Sequence, residues 1–240
     1  MPQWFGLPDD FSSAHGIAIA LLFACWFSYS FALAAVGRGS LNSQLTIVRL
    51  YWLSAATRRA AKPFDAVLLG NLMNSIAFFG SATMIVLAGV ITVFTSAKSI
   101  HTTMSELAFI EAVSLELFAL QIALVALVLA ICFFSFIYAL RKLIYTLSLI
   151  GALPDISEGC ETHDAMVEAA SVVLSEAIST LNLGIRGYYY SIAMLCIFIS
   201  PYACIAATVV ATAILFYRQL ATRTSRAIQD YVEAAKALDR

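Results

Sequence analysis

The chain has 240 residues, of which 61% are hydrophobic and 12% are charged, and its formal net charge is −1. Soluble domains are about 45–50% apolar and about 25% charged, so this composition excludes an ordinary soluble protein. No basic patch is interleaved with aromatic residues, which argues against a nucleic-acid-binding surface.

Four apolar runs predict membrane-spanning helices, because a helix needs about 20 apolar residues to cross a hydrocarbon core roughly 30 Å thick. The runs are 15–36, 66–94, 117–140 and 187–217. They lack strand alternation, so we expect an all-α fold: a polytopic helical bundle of four spans in one membrane domain, 1–240. The first run has no Lys or Arg before it and exceeds the length of a secretory signal core, so we expect it to be retained.

The first connection predicts a basic amphipathic helix over about 42–61, with the aromatic pair Tyr51-Trp52 and no acidic residue. Such a helix lies in the headgroup region. Two interpretations stay open: a simple anchor, or a site for anionic lipid headgroups. The candidate headgroup ligands are Arg49, Arg58, Arg59 and Lys62.

Two more amphipathic helices are expected at about 163–182 and 219–238. In the four-span topology, the first and third connections hold eight of the 14 Lys and Arg residues. The positive-inside rule then predicts a bacterial inner-membrane protein with both termini outside the cytoplasm. An alternative is that the fourth run turns back at Ser200-Pro201, since proline can interrupt a membrane helix.

A polar stripe follows one face of the second predicted span, where Asn71, Asn74, Ser75 and Ser81 recur at helical spacing. Lipid cannot satisfy these groups, so the stripe either forms a packing seam or lines a path for a solute or ion. Further polar candidates inside the spans are Gln121 and Ser200.

Arg186 stands at the entry to the fourth predicted span, beside the triple tyrosine 188–190. A guanidinium carries five donors and a charge, so we expect a carboxylate or a lipid phosphate nearby. Asp65, just before the second span, is the predicted ion-pair partner.

Catalytic and metal-binding patterns are missing from the sequence. The three histidines are far apart, and no Cys-x-x-Cys, HExxH or glycine-rich phosphate loop occurs. We therefore predict no catalytic residues, no metal site and no cofactor, and we expect that the protein is not an enzyme.

Three segments together resemble a known group of bacterial membrane proteins, domain-of-unknown-function family 599. They are "GNLMNSIAFFGSATMIVLAG" at 70–89, "SFIYALRKLIYTLSLIGALP" at 135–154 and "LNLGIRGYYYSIAMLCIFISPY" at 181–202. The resemblance covers about 15 to 220 and implies a small helical membrane bundle without supplying a mechanism.

Three functions are considered. The first is a non-catalytic accessory or assembly component whose polar stripes join its own helices or several copies. The second is a small channel or transporter, with the asparagine stripe as lining and Arg186 at the cytoplasmic mouth. The third is an anionic-lipid-binding protein. The expected partners are membrane lipids and either further copies of the chain or other subunits of a membrane complex.

Overall fold

The computed structural model describes residues 8–36, 40–58, 63–107, 111–153 and 161–238. Within these ranges the regular structure is helical and contains no strand, which confirms the predicted all-α class. The helices are α1 (Ser13–Val36), α2 (Leu41–Arg58), α3 (Pro63–Thr95), α4 (Ala97–Ser105), α5 (Leu115–Gly151), α6 (Glu161–Leu195), α7 (Pro201–Leu220) and α8 (Arg223–Leu238), with a 3₁₀ turn at Cys196–Phe198.

Five described helices, rather than the predicted four, are long and apolar enough to cross a membrane: α1, α3, α5, α6 and α7. The run 187–217 is two helices, because α6 ends at Leu195 and α7 begins at Pro201. The Ser200 hydroxyl accepts a hydrogen bond from the Ala203 N–H (3.1 Å) and caps α7. The predicted amphipathic helix 163–182 is the first half of α6.

The chain reverses direction at this break. The Tyr190 hydroxyl of α6 lies 3.0 Å from Thr212 Oγ1 of α7, 22 residues later. The alternative interruption at Ser200-Pro201 is therefore present in the structure, and α6 and α7 form a helical hairpin.

The chain divides into two compact units, and the five long helices contribute residues to both. The first unit is Met1–Ser30, Ser81–Phe133 and Ile185–Leu215, and the second is Phe31–Gly80, Phe134–Gly184 and Phe216–Arg240. In the first unit the largest fully buried side chains include Leu22, Trp26, Tyr190, Met194 and Ile197. In the second they include Leu53, Ile76, Phe136, Leu143 and Leu174.

In the second unit, α2 packs against α8. The Asn42 N–H donates to Gln219 Oε1 (3.2 Å), which joins the start of α2 to the end of α7. These helices correspond to the predicted amphipathic segments 42–61 and 219–238. Residues 59–62 of the first prediction lie outside the described part of the chain.

Helices α3 and α5 run antiparallel in the second unit. Gly80 packs against Phe136, since a Cβ built on Gly80 would lie 3.8 Å from Phe136 Cβ. Farther along both helices, Asp65 and Leu69 of α3 face Ile150 and Gly151 of α5 around a common cavity. This register gives the level of the α3 residues of the second unit relative to α5.

Candidate functional site

Arg186 lies beside the middle of the apolar run of α5 in the first unit. Its neighbour Gly187 packs against Trp26 of α1 and Cys132 of α5. Cys132 precedes Arg141, where the apolar run of α5 ends, by nine residues, which is roughly 13 Å at 1.5 Å per residue. The helix backbone at Arg186 is therefore level with the interior of this apolar run rather than with its charged end.

Neutral groups surround the Arg186 side chain, which is only 8% exposed. Its guanidinium carbon stands 4.8 Å from the centre of the Tyr29 ring, in cation–π contact. One terminal nitrogen donates to the Ser30 hydroxyl (3.0 Å), while Nε is buried without a hydrogen-bond partner. In the described ranges, no carboxylate forms an ion pair with this arginine.

The aromatic walls of the site are fixed by α7. The Tyr29 hydroxyl donates to the Leu215 carbonyl oxygen (2.9 Å). Tyr190, one turn beyond Arg186, stacks on Trp26 with ring centroids 6.1 Å apart and is held at its hydroxyl by Thr212. The rings that face the guanidinium therefore have fixed positions.

One side of the site is open. Ser30 is exposed on the outer face of α1, and Phe27, almost one turn earlier, is 47% exposed. A charged arginine at the centre of a spanning helix costs about 2.5–3.5 kcal/mol on insertion scales. Neutral partners leave its charge uncompensated, so the arrangement is suited to an anion that approaches past Ser30.

Asp65, the predicted partner of Arg186, is in the second unit and has a different neighbour. The Trp52 indole N–H donates to Asp65 Oδ1 (2.7 Å), and the carboxylate is 7% exposed. The Arg186–Asp65 pairing stays a prediction from the sequence.

The asparagine stripe lies on the exposed side of α3. Asn71, Asn74 and Ser75 are exposed, and α3 buries the other face through Leu69 and Ile76. These three side chains are exposed in the single chain, and their expected role as a packing seam or a path lining stays a prediction. Contact with another copy stays a prediction.

The register of α3 against α5 shows how far along the apolar run of α5 the stripe lies. Asn74 precedes Gly80 by six residues, and Lys142 follows Phe136 by six, so the α3–α5 register sets Asn74 level with Lys142. The apolar run of α5 ends there at Arg141-Lys142, so the amides are level with the charged end of that run, where headgroups and water are expected. The Ser75 hydroxyl instead donates to the Asn71 carbonyl oxygen (2.9 Å).

The other polar candidates are in the first unit and do not share one surface. Ser81 is exposed, and Ser200 is the cap of α7. Gln121 is buried, and its Oε1 has no hydrogen-bond partner. It borders a cavity of about 10 Å³ with His101 and Phe198, which is too small for a path.

The proposed headgroup ligands are partly engaged by the protein. Arg49 donates to Thr46 and to Ser175 of α6, both at 3.3 Å. Burial lowers the pKa of the Arg49 guanidinium from its ordinary value. The side chain of Arg58 and the residues Arg59 and Lys62 lie outside the described residues, so lipid contact by this group stays a prediction.

Several polar contacts in the structure were not predicted from the sequence. Tyr29 and Ser30 form the site with Arg186, and Thr83 of α3 hydrogen-bonds the Tyr188 hydroxyl. Thr208 of α7 is fully buried. The consecutive polar residues Ser28-Tyr29-Ser30 inside a mostly apolar run were a usable signal. Among the described residues, no group of three His, Cys, Asp or Glu is placed to hold a metal ion.

Comparison with known proteins identifies a family and no individual relative. No curated protein and no solved structure matches the chain. A family model described as "Protein of unknown function, DUF599" matches residues 17–224, which is most of the sequence. The match covers all five long helices except the first residues of α1. The chain therefore belongs to the DUF599 family.

Proposed function

We propose that this is a non-catalytic inner-membrane protein that binds an anionic lipid headgroup through Arg186. One observation carries the proposal: a guanidinium buried at hydrocarbon level has one hydrogen bond, to Ser30, and no carboxylate beside it in the described chain. Ionisable groups at this depth are functional candidates by default.

A phosphate matches the donors that remain. Arginine presents a planar fork that binds phosphate in a bidentate manner, and charge-assisted hydrogen bonds of this kind are roughly twice as strong as neutral ones. The unpartnered Nε of Arg186 is one free donor of that fork. The Ser30 hydroxyl is a further polar group for the same ligand.

The direction of the side chain favours a lipid as the source of the phosphate. Side chains of a helix point toward its N-terminus, so Arg186 points back along α6 toward the connection with α5. The site opens past exposed Ser30 and Phe27, a surface on which acyl chains can lie. A headgroup drawn below the surface layer along this side of α1 would therefore meet the guanidinium.

Five spans also suggest an orientation, with the N-terminus outside and the C-terminus inside the cytoplasm. Twelve of the 14 Lys and Arg residues then flank the cytoplasmic side. They are Arg38, Arg49, Arg58, Arg59, Lys62, Arg141, Lys142, Arg218, Arg223, Arg226, Lys236 and Arg240. Lys98 alone falls in an outer connection, an asymmetry much stronger than the eight against six of the four-span topology.

A fusion experiment tests this orientation. Green fluorescent protein at the C-terminus should fluoresce in cells, and alkaline phosphatase at the same point should be inactive. Active phosphatase with dark fluorescent protein would restore the four-span prediction of an outer C-terminus.

The lipid proposal is tested by ligand-dependent stability. Phosphatidylglycerol added to the protein in neutral detergent should raise the melting temperature, because a ligand that binds the folded state stabilises it. Arg186→Gln should abolish this shift, Arg186→Lys should keep part of it, and phosphatidylcholine should have little effect. Arg223→Gln, at an exposed arginine of α8, is the matched control and should respond as the parent does.

A small-anion channel remains the alternative, since chloride also suits a guanidinium and hydroxyl groups. Liposomes that contain the protein would then leak chloride, and Arg186→Gln would stop the leak. Leakage that depends on Arg186, without a lipid-dependent shift, would replace the lipid proposal. An equal lipid shift in the parent and in Arg186→Gln would refute it.

The accessory role and the association of several copies stay predictions. Co-purification and mass measurement of the native complex test them. A purely monomeric protein that brings no partner out of the membrane would contradict both.

A further inference from the structure

A cavity of about 260 Å³ lies in the second unit. It is bounded by the end of α2, the start of α3 and the end of α5. Its lining consists of Leu53, Ala56, Thr57, Asp65, Ala66, Leu69, Leu147, Ile150, Gly151 and Leu153. Concave sites lined mainly by hydrophobic side chains are typical of small-molecule binding.

The two polar side chains of the lining are engaged by the protein itself. The Thr57 hydroxyl donates to the Ser54 carbonyl oxygen (2.8 Å), and the Asp65 carboxylate accepts the Trp52 indole N–H (2.7 Å). The other lining residues are Leu, Ile, Ala and Gly. A ligand in the cavity therefore meets mainly hydrocarbon, and a charged group placed there would lose its hydration at a large cost.

The shape of the cavity limits the size of the ligand. Leu53 and Leu69 are almost completely buried and form the floor, whereas Leu147 is 44% exposed and stands at the rim. The volume corresponds to about nine water molecules at roughly 30 Å³ each. The ligand has a comparable number of non-hydrogen atoms and enters past Leu147.

The position of the cavity along α5 argues against an acyl chain as the occupant. Gly151 follows Lys142, at the charged end of the apolar run, by nine residues, which is roughly 13 Å at 1.5 Å per residue. The cavity therefore lies beyond that charged end, where headgroups and water are expected. A small molecule reaches this place from the aqueous side, whereas acyl chains lie on the other side of the headgroup layer.

From these observations we infer that the cavity binds a small neutral apolar molecule, with its hydrocarbon against Leu53, Leu69 and Ile150. Short aliphatic alcohols and hydrocarbons are the ligand class that fits this lining and volume. The site is on the cytoplasmic side in the proposed five-span orientation, but the inference does not depend on anion binding at Arg186.

A photoreactive hexanol tests the site, because crosslinking reports the place of binding as well as its strength. The probe carries a diazirine in its chain, and its size of about nine non-hydrogen atoms suits the volume. After illumination of the full-length protein in detergent, mass spectrometry should find saturable labels within 53–57, 65–69 and 147–153. Unlabelled hexanol should displace the probe at concentrations at least about tenfold lower than hexylamine or hexanoate, because these two carry a charge on the same chain.

Two variants fill the cavity from different walls. Gly151→Leu should abolish the saturable labelling, since a Cβ at Gly151 meets no atom within 4 Å and the side chain has room to enter. Ala66→Leu, on α3, should do the same from the other side. Gly89→Leu is the matched control, because its Cβ is equally unobstructed and Gly89 lies outside the cavity lining. Melting temperatures like that of Gly89→Leu show that the two variants are folded.

Each outcome supports or overturns the inference. Displacement by hexylamine or hexanoate as readily as by hexanol would overturn the preference for a neutral ligand. Displacement by phosphatidylglycerol would show that an acyl chain is the occupant instead. Absent saturable labelling, or labelling that a folded Gly151→Leu or Ala66→Leu variant retains, would overturn the cavity as the site. Labelling confined to the lining, preferentially displaced by hexanol and lost in the filled variants, would establish it, whatever Arg186 binds.

Discussion

A helix face that carries amides and a helix face that carries glycines have opposite surroundings: the first is exposed and the second is closely packed. The amide-bearing face of α3, with Asn71 and Asn74, is exposed. The glycine-bearing face of α6 is packed so closely that a Cβ on Gly184 would lie 2.7 Å from the Phe136 ring, and one on Gly187 would lie 2.6 Å from Trp26. Helices in membranes associate mainly through close packing at small residues. In this protein small residues mark the seam more reliably than amides do.

The positions of Asn74 and Thr83 relative to the end of the apolar run account for their different surroundings. An amide is expensive only where neither water nor protein supplies hydrogen bonds. Asn74 is level with Lys142 at the end of an apolar run, so it needs no protein partner. Thr83, nine residues farther along α3, is buried and does have one, the Tyr188 hydroxyl.

Gly187→Ala tests the glycine face and should have the largest effect. The added Cβ would overlap the Trp26 ring and the Cys132 sulfur, and Trp26 is itself fully buried against Tyr190. Overpacking costs about 1–3 kcal/mol and occasionally more, so we expect a loss near the upper end, about 3 kcal/mol, in denaturation by sodium dodecyl sulfate. Gly89→Ala meets no atom within 4 Å and should be neutral or slightly stabilising. Equal losses of stability in Gly187→Ala and Gly89→Ala would show that the closely packed glycine face is no more sensitive than an unobstructed glycine.

Trp52→Phe tests the polar contact that α3 does bury. The variant removes the donor to Asp65 and should cost about 2 kcal/mol, because hydrogen bonds to charged groups contribute about 1.5–3 kcal/mol. A double-mutant cycle with Asp65→Asn isolates the pair, and we expect a coupling of at least about 1 kcal/mol. Additive losses would show that the indole stabilises α2 through packing alone.

Hydropathy predicted much of the fold because the helices and their amphipathic character are local properties of the chain. The break at Ser200-Pro201 was visible as an alternative, but one continuous apolar run at 187–217 concealed the hairpin of α6 and α7. Helix periodicity correctly placed Asn71 and Asn74 on one face. It does not state which face is buried, since that depends on the register of α3 against α5.

The sequence shows the charge of the Arg186 site but not the residues that contact it. A charge within an apolar segment is evident in the sequence, and it leads to the expectation of a nearby anion. Its contacts with Tyr29 and Ser30 join residues more than 150 positions apart, and no local pattern encodes such a pairing.

Asn74→Leu tests the amide face directly and should change stability by less than about 0.5 kcal/mol, as exposed substitutions usually do. Ile76→Asn, two residues away, is the contrasting variant: Ile76 is 1% exposed, and an unpaired buried amide is costly. Thermal unfolding in detergent measures both. A large loss in Asn74→Leu, or a shift in oligomer mass, would indicate that the stripe meets another copy of the chain.

Asp10 provides the smallest test, of a polar contact at a helix end that faces water. Its carboxylate accepts the Ser114 N–H (2.5 Å) and hydroxyl (2.8 Å), which joins the segment before α1 to the start of α5. Slight burial raises the pKa of Asp10, but these hydrogen bonds outweigh it and hold the pKa below the ordinary 3.8. A lowered folded-state pKa contributes stability that is complete above 3.8 and is lost as the pH falls through the folded value.

The stability difference between the parent and Asp10→Asn should therefore be constant from pH 7 to 5 and shrink as the pH falls below 4. Asp10 is exposed, so solvent screening limits the difference to about 0.5 kcal/mol or less. Asp9→Asn removes the same charge from the neighbouring exposed position and is the control. If the two variants have identical pH profiles, the effect is one of net charge, and the contact between Asp10 and Ser114 contributes nothing to the stability of the helix ends.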